Sequence, residues 1–431
     1  MDKIKILALS DSPLLNTGFS TVTMNILNRL SDIGYDCTLL GQAIPHSQKL
    51  VLSNPNTILK SWGVQQHNLK LPELVPSVYL SDGTTFKFNL IGQGLEPYCK
   101  DIVEPYIRML QPNIFFTLLD TFMVYPWFLD TNFTPAKTIF YYPSDGDPFL
   151  PGGHNACENI LKRMSKSVAM SKYGQKQVKE VYGLDTDYIP HAYDNTIFYP
   201  LTEEEKKINK ARWGILNRFV VGCVARNQPR KMMDRTVKAF AHFAKDKDDV
   251  VLILHLDPMD RAAAFDINKL IQTLKIENKV IYTGVQYFSG FTYEQMREIY
   301  NLFDVFLLLT SGEGFGIPLI EAMACEIPVI CTDYTTSKEL IIDDGQSGEL
   351  VKLSGTHSYL EPIYTTITGS WNVERGLADI IDGANMLNKL YYDRELCKTY
   401  GKTGRRKALH YYTWDVVMPQ WDKLFKELLN E

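Results

Sequence analysis

The chain has 431 residues, of which 45 are Lys or Arg and 50 are Asp or Glu, and 45% of its side chains are hydrophobic. That length predicts two domains with a core each, that composition excludes a disordered chain, and a net charge of −5 excludes wholesale polyanion binding. Seven cysteines, odd in number, scattered and without a CxxC pair, predict neither a disulfide framework nor a zinc knuckle, and fit a reducing cytoplasm. Met1 to Ser10 lack the apolar run and cleavage site of a signal peptide. No transmembrane helix is expected, since the most apolar stretch, Ile114 to Leu129, carries Asp120 and Pro126.

In chain order, short runs rich in β-branched and aromatic residues alternate with amphipathic segments, which predicts repeated βα units around parallel sheets. The first half offers strands at Ile4–Leu9, Thr38–Leu40, Ile114–Leu119, Thr138–Tyr142 and Ser167–Met170, with helices such as Thr21–Asp32 and Lys172–Tyr182. A second series runs through Phe219–Val224, Val250–His255, Lys279–Tyr282, Val305–Leu309 and Val329–Cys331. Between them Asn195–Asn217 is polar and without a strand. The expected division is therefore 1–197, a linker 198–218, a second domain 219–409 and a terminal helix within 410–431. Leu353–Val373, with its glycines, threonines and Pro362, is expected to be a long irregular insertion.

The densest chemical signal is Ser311-Gly312-Glu313-Gly314-Phe315-Gly316-Ile317-Pro318-Leu319-Ile320-Glu321-Ala322-Met323-Ala324, directly after a buried strand. Gly314 and Gly316 suit a loop, and Pro318 the first turn of a helix. Glu313 then lies in the loop mouth and Glu321 near the helix start, at the carboxyl end of a parallel strand, where α/β folds bind ligands. Free backbone N–H groups and the helix dipole at such a start suit a phosphate, and carboxylates beside it suit sugar hydroxyls. Taken alone, the two glutamates fit a plain helix-start preference better than a site.

A second constellation follows the strand Phe219–Val224, namely Ala225-Arg226-Asn227-Gln228-Pro229-Arg230-Lys231, whose cations could neutralise a diphosphate. Together the two segments outline a site for a nucleotide diphosphate attached to a sugar.

With these residues the chain resembles the family 4 glycosyltransferases, retaining enzymes of GT-B fold. The resemblance rests on the Glu-x7-Glu signature, Glu313 to Glu321, and on the Arg-x4-Lys pair, Arg226 and Lys231. Further echoes are Ile189-Pro190-His191-Ala192-Tyr193-Asp194, Gly284, and Tyr411-Tyr412-Thr413-Trp414. It implies two Rossmann-like domains facing each other across a cleft, the first on the acceptor side, with the helix Trp414–Leu429 crossing back to the first. It implies that Arg226 and Lys231 hold the donor diphosphate and that Glu321 binds the ribose hydroxyls. Glu313, with the backbone of Gly314, Phe315 and Gly316, would orient the transferred sugar.

The loop Asn16-Thr17-Gly18-Phe19-Ser20 corresponds to the family's glycine-rich loop facing the donor phosphate, with only Gly18 where two glycines are usual; a helix N-cap at Thr17 or Ser20 is the competing reading. Where many relatives place a histidine, this chain has Pro143-Ser144-Asp145-Gly146-Asp147, which makes Asp145 a candidate for contact with sugar or acceptor. Asp145 and Asp147 could alternatively hold a metal in the manner of a GT-A transferase, or form an ordinary Asp-Gly turn. His191 and His255 are expected to be structural, Glu326 marks a local loop change where glycine is usual, and Lys402, Arg405, Arg406 and Lys407 are expected to form a solvated helix face.

The resemblance thus implies a retaining, metal-independent transferase that takes a nucleotide-diphosphate sugar and needs no cofactor. The acceptor is open: a saccharide or glycolipid headgroup is favoured, a modified nucleic-acid base stays an alternative, and the small basic cluster does not indicate a peripheral membrane or nucleic-acid contact. A non-catalytic subunit that binds sugar nucleotide would carry the same binding residues.

Overall fold

A computed structural model describes residues 3–13, 15, 17–42, 86–94, 96–125, 127–146, 156–285, 290–354, 364–366 and 374–431. Asn16, Asp147 and most of the Leu353–Val373 segment lie outside them. Two all-parallel sheets organise the chain. The first contains β1 (Lys5–Asp11), β2 (Asp36–Gln42), β3 (Asn89–Gly92), β4 (Ile114–Leu118), β5 (Lys137–Tyr142), β6 (Lys166–Ala169) and β7 (Asp187–Tyr188), in the order β3-β2-β1-β4-β5-β6-β7. The second contains β8 (Phe219–Val224), β9 (Val250–His255), β10 (Val280–Tyr282), β11 (Val305–Leu308), β12 (Val329–Thr332) and β13 (Gly348–Val351), in the order β10-β9-β8-β11-β12-β13. A small antiparallel pair, β14 (Tyr364–Thr366) with β15 (Glu374–Gly376), completes the strands.

Strands such as β4 and β8 are buried along their whole length, because helices cover both faces of a parallel sheet, and they read in the sequence as unbroken apolar runs. In each sheet the order reverses once, between β1 and β4 and between β8 and β11. Such a reversal opens a crevice at the carboxyl ends of the two central strands. The crevices are where the first sheet presents the segments after Asp11 and Leu118, and the second those after Val224 and Leu308.

The segment 195–217 contains no described strand, but it is not extended: Glu203–Arg212 forms a helix, held at its start by a capping box between Thr202 and Glu205. The helix expected at Thr21 begins earlier, at Gly18, with Thr17 as its N-cap; the Thr17 hydroxyl accepts from Ser20 N at 3.1 Å. Within the expected insertion, β14 pairs with β15, so that part of it is regular. Glu326 adopts φ of +62°, the left-handed region in which glycine is at ease, so the loop keeps the conformation and the glutamate carries its strain.

The basic cluster differs from the expected solvated face. Lys407 is 1% exposed and donates to Gly345 O, Arg405 donates to Ala324 O, and Arg406 pairs with Asp344. Only Lys402 is both exposed and outside those contacts. These cations satisfy carbonyls at a helix end and a turn, where no backbone donor reaches them.

The final helix, Trp414–Asn430, does cross to the first sheet. Its Trp421, fully buried, meets Phe116 and Tyr141 edge-on at 5.4 and 4.8 Å, and Asp422 accepts from the Tyr35 hydroxyl at 2.8 Å. Just ahead of it Tyr193 N donates to Tyr412 O at 2.8 Å. Trp421→Ala is expected to destabilise the protein by about 3–5 kcal/mol, the range for truncating a large buried aromatic, with urea denaturation as the measurement.

Candidate active site at the facing crevices

The loop after β11 is built around two glycines with different tasks. Gly316 has φ of +105°, a conformation other residues resist, and it caps the helix Ile317–Ala324 with Pro318 in the first turn. Gly314 shows no such angle. A Cβ there would come within 3.1 Å of Pro143, so its need is close approach to the first domain. Gly18 sits opposite the same helix start: a Cβ on it would lie 3.5 Å from Ile317 Cδ1. The cap at Thr17 and the approach of Gly18 to the second domain coexist, since one belongs to the hydroxyl and the other to the bare Cα.

Glu313 is 4% exposed, and both its oxygens accept from Lys231 Nζ, at 2.7 and 2.8 Å. Arg230 Nη1 lies 3.3 Å from the same carboxylate. Burial alone would raise the Glu313 pKa; the Lys231 and Arg230 charges outweigh it and hold the group at about 2. The carboxylate is therefore ionised at neutral pH. Glu321, one helical turn beyond the loop, accepts from the buried Tyr300 hydroxyl at 2.7 Å. Burial pushes its pKa up to about 7, and the Tyr300 bond opposes that rise.

Arg226 stands apart from that cluster. Its Nε donates to Asp260 Oδ2 at 2.7 Å, and Asp260 is in turn fixed by the Ala262 N–H at 2.8 Å. On the facing crevice Asp11 feels the Arg226 charge while its carboxylate accepts from Thr17 and Gln42. Its pKa is raised, by burial first. Asp120, at the end of β4, is pushed up to about 7 by burial and then by the Asp145 charge.

Asp145, the candidate for contact with sugar or acceptor, lies at the joint between the two domains. Its carboxylate bridges the domains, with Oδ2 3.0 Å from Arg230 Nε and Oδ1 2.7 Å from Arg375 Nη1. Sequence reasoning overlooked Asp260, Asp120, Tyr300 and Arg375. Only position could have found Asp120, at the end of a strand beside a topological reversal; Arg375 follows an insertion that hides its register.

His191 and His255 are structural in the way expected. The Tyr141 hydroxyl donates to Ile189 O and lies 2.7 Å from His191 Nδ1, so Nδ1 carries the proton; burial lowers this histidine to about 3 and keeps it neutral. Its ring also touches Phe315, 5.0 Å between centroids, joining the first core to the glycine loop. His255 Nδ1 meets the Thr283 hydroxyl at 2.8 Å.

Comparison with known proteins adds to this geometry. Over the whole chain the fold matches sucrose-phosphate synthase from Thermosynechococcus elongatus, with a TM-score of 0.70 and 16% identity over 100% of both chains. It also matches HepE from Anabaena, solved in complex with UDP-glucose, with a TM-score of 0.69 and 16% identity over 98% of this chain and 100% of that one. The fold is GT-B, two facing parallel-sheet α/β domains.

Residues 205–363 match the family described as Glycosyl transferases group 1, so this segment carries that domain. Among curated proteins the chain is 25% identical over 201 residues to N-acetyl-alpha-D-glucosaminyl L-malate synthase of Bacillus anthracis, spanning 47% of this chain and 43% of that protein. It is 26% identical over 270 residues to alpha-maltose-1-phosphate synthase of Mycolicibacterium smegmatis, 61% of this chain and 62% of that protein. The chain thus spans about half the length of these relatives.

Tyr300→Phe removes the hydroxyl that supports ionised Glu321. The Glu321 pKa is expected to rise above its value of about 7. Titration of the carboxyl by NMR in the two proteins is the check, with the variant still protonated where the parent has begun to ionise.

Proposed function

We propose that the protein is a retaining glycosyltransferase that moves a sugar from a nucleotide-diphosphate donor to an acceptor hydroxyl without a metal ion. The observation that carries this reading is the buried cluster of Lys231, Arg230 and Glu313 at the reversal point of the second sheet. It sets cations and an ionised carboxylate beside the helix start at Gly316, and helix starts suit anions. The group 1 domain match over residues 205–363 and the nucleotide-sugar ligand of HepE agree with it.

In this reading Arg226 and Lys231 hold the donor diphosphate, and Glu321 accepts from the ribose hydroxyls. Glu313 orients the transferred sugar with the Gly314–Gly316 backbone, and Gly18 closes on the phosphate from across the cleft. When the bond from the anomeric carbon to phosphate breaks, negative charge gathers on the leaving oxygen. Arg226, Lys231 and the helix start stabilise that charge in place, before the reaction needs it. The acceptor oxygen attacks the same face of the sugar, and its proton passes to the departing phosphate, which retains configuration. Asp145 engages two guanidinium groups, and that positive surrounding disfavours a divalent cation, which supports metal independence over the Asp145/Asp147 alternative.

No helix among the described residues is long and apolar enough to cross a membrane. The cysteine usage favours a cytoplasmic site of action, and a saccharide or glycolipid headgroup is the favoured acceptor class.

The defining experiment screens UDP-, GDP-, ADP- and dTDP-sugars for nucleotide release, with and without EDTA and with candidate acceptors. One donor is expected to turn over equally in both conditions. Single-turnover assay of the purified chain separates this enzyme from a non-catalytic binding subunit. Arg226→Ala and Lys231→Ala are each expected to lower turnover about tenfold or more, a barrier rise above about 1.4 kcal/mol, with circular dichroism unchanged; full turnover in both variants contradicts the phosphate role.

The Glu321 pKa of about 7 also sets a pH dependence. Ribose hydroxyls donate best to the ionised carboxylate, so donor KM is expected to climb as pH falls below that value and to level off above it. Glu321→Gln should flatten this profile.

A further inference from the structure

Arg375 reaches the cleft from β15, immediately after the insertion. Gly376 N donates to Ser311 O at 3.0 Å, which pins this strand to the loop that carries Glu313. The Arg375 side chain is 6% exposed, and its Nε is buried with no hydrogen-bond partner among the described residues. Its Nη1 contacts both the carboxylate and the backbone carbonyl of Asp145. Arg230 engages the other oxygen of the same carboxylate, donates to Gly312 O, and borders Glu313. The backbone leaves no slack here: a Cβ on Gly312 would fall 1.9 Å from Asp145 O.

An anionic oxygen pair gripped by two guanidiniums is the arrangement that recognises a phosphate, and here the Asp145 side chain of the opposite domain supplies the anion. A guanidinium buried only to hold one aspartate would be expected to satisfy all its donors; the unpartnered Nε leaves one more than Asp145 uses.

We propose that Arg230 and Arg375 form a phosphate-binding clamp in the cleft, and that the Asp145 carboxylate is its displaceable occupant. The proposal rests on the donor-site reading above and adds Arg375 and the role of Asp145 to it. A phosphate entering the clamp forms charge-assisted hydrogen bonds to both guanidiniums and gains the Arg375 Nε donor, while Asp145 is released from the domain bridge. The phosphate belongs either to the donor diphosphate or to the acceptor, and the two sources are separable.

The test titrates the full chain calorimetrically with UDP, GDP, ADP and dTDP, and then with inorganic phosphate in the presence of the tightest of these at saturation. Arg375→Gln is expected to weaken one of the two ligands by about tenfold, the scale of one charged hydrogen bond lost. Asp145→Asn is expected to tighten the same ligand, because the competing charge is gone. An effect on the nucleoside diphosphate assigns the clamp to the donor; an effect on inorganic phosphate alone assigns it to an acceptor phosphate. Unchanged affinity for both in Arg375→Gln, or weaker binding in Asp145→Asn, overturns the clamp.

Lys231→Ala, run in parallel, keeps the two readings apart. If it abolishes nucleoside diphosphate binding while Arg375→Gln does not alter either ligand, the donor site stands and the clamp falls. If it has no effect, the donor reading falls, and the clamp is judged on Arg375→Gln alone. Should Arg375→Gln fail to fold, as thermal melting would show, Asp145→Asn decides, since its side chain lies 26% exposed in the cleft.

Discussion

The buried contact between Lys231 and Glu313 is the constraint around which the site is arranged. Each charge is held at that depth by the other, because a buried ion needs a partner of opposite sign close by. The pair therefore ties the loop after β8 to the loop after β11, and Arg230 adds a second cation to the same carboxylate. Two loops far apart in sequence become one surface because their strands are neighbours in the sheet, with Val221 beside Val305 and Gly222 beside Phe306.

The same logic repeats across the cleft with the signs reversed. The crevice of the first sheet and the loop after its β5 present Asp11, Asp120 and Asp145, while the second domain presents Arg226, Arg230, Lys231 and Arg375. Asp145 joins the two sides directly, and Phe315 does so through aromatic contact with His191 and Tyr412. A carboxylate of Glu339 extends the joint by accepting from Tyr173 N at 2.9 Å, at the start of the helix Lys172–Tyr182. The final helix then locks the second domain's end onto the first domain's core. Facing surfaces of opposite charge attract when they are bare, and any anion that enters between them must compete with the carboxylates for the cations.

Much of this was legible in the amino-acid order. The strands Phe219–Val224 and Val250–His255 and the helix Lys172–Tyr182 lie where their apolar runs and flanking caps put them. Others were hidden for identifiable reasons. β13 contains Glu349, a residue that breaks an apolar run; it is buried because Lys389 at 2.5 Å and the Tyr400 hydroxyl at 2.7 Å satisfy it. β3 and β7 are short, of four and two residues, and carry too little pattern to read. The basic cluster near Lys407 looked solvated because helical spacing shows which residues share a face, not which carbonyls of a distant turn lie opposite them.

What the sequence by itself determined is the alternation of buried strands and amphipathic helices, the glycine and proline placement that turns a strand into a helix start, and the presence of charged residues in the loops that follow the central strands. These are local matters, decided by backbone sterics and by the periodicity of apolar side chains. The tertiary structure alone decided which charges meet: that Arg226 turns to Asp260, that Lys231 and Arg230 share Glu313, and that Asp145 reaches across to Arg230 and Arg375. Ion pairing depends on distance through space, and the partners here come together only once both sheets have formed and the domains face each other.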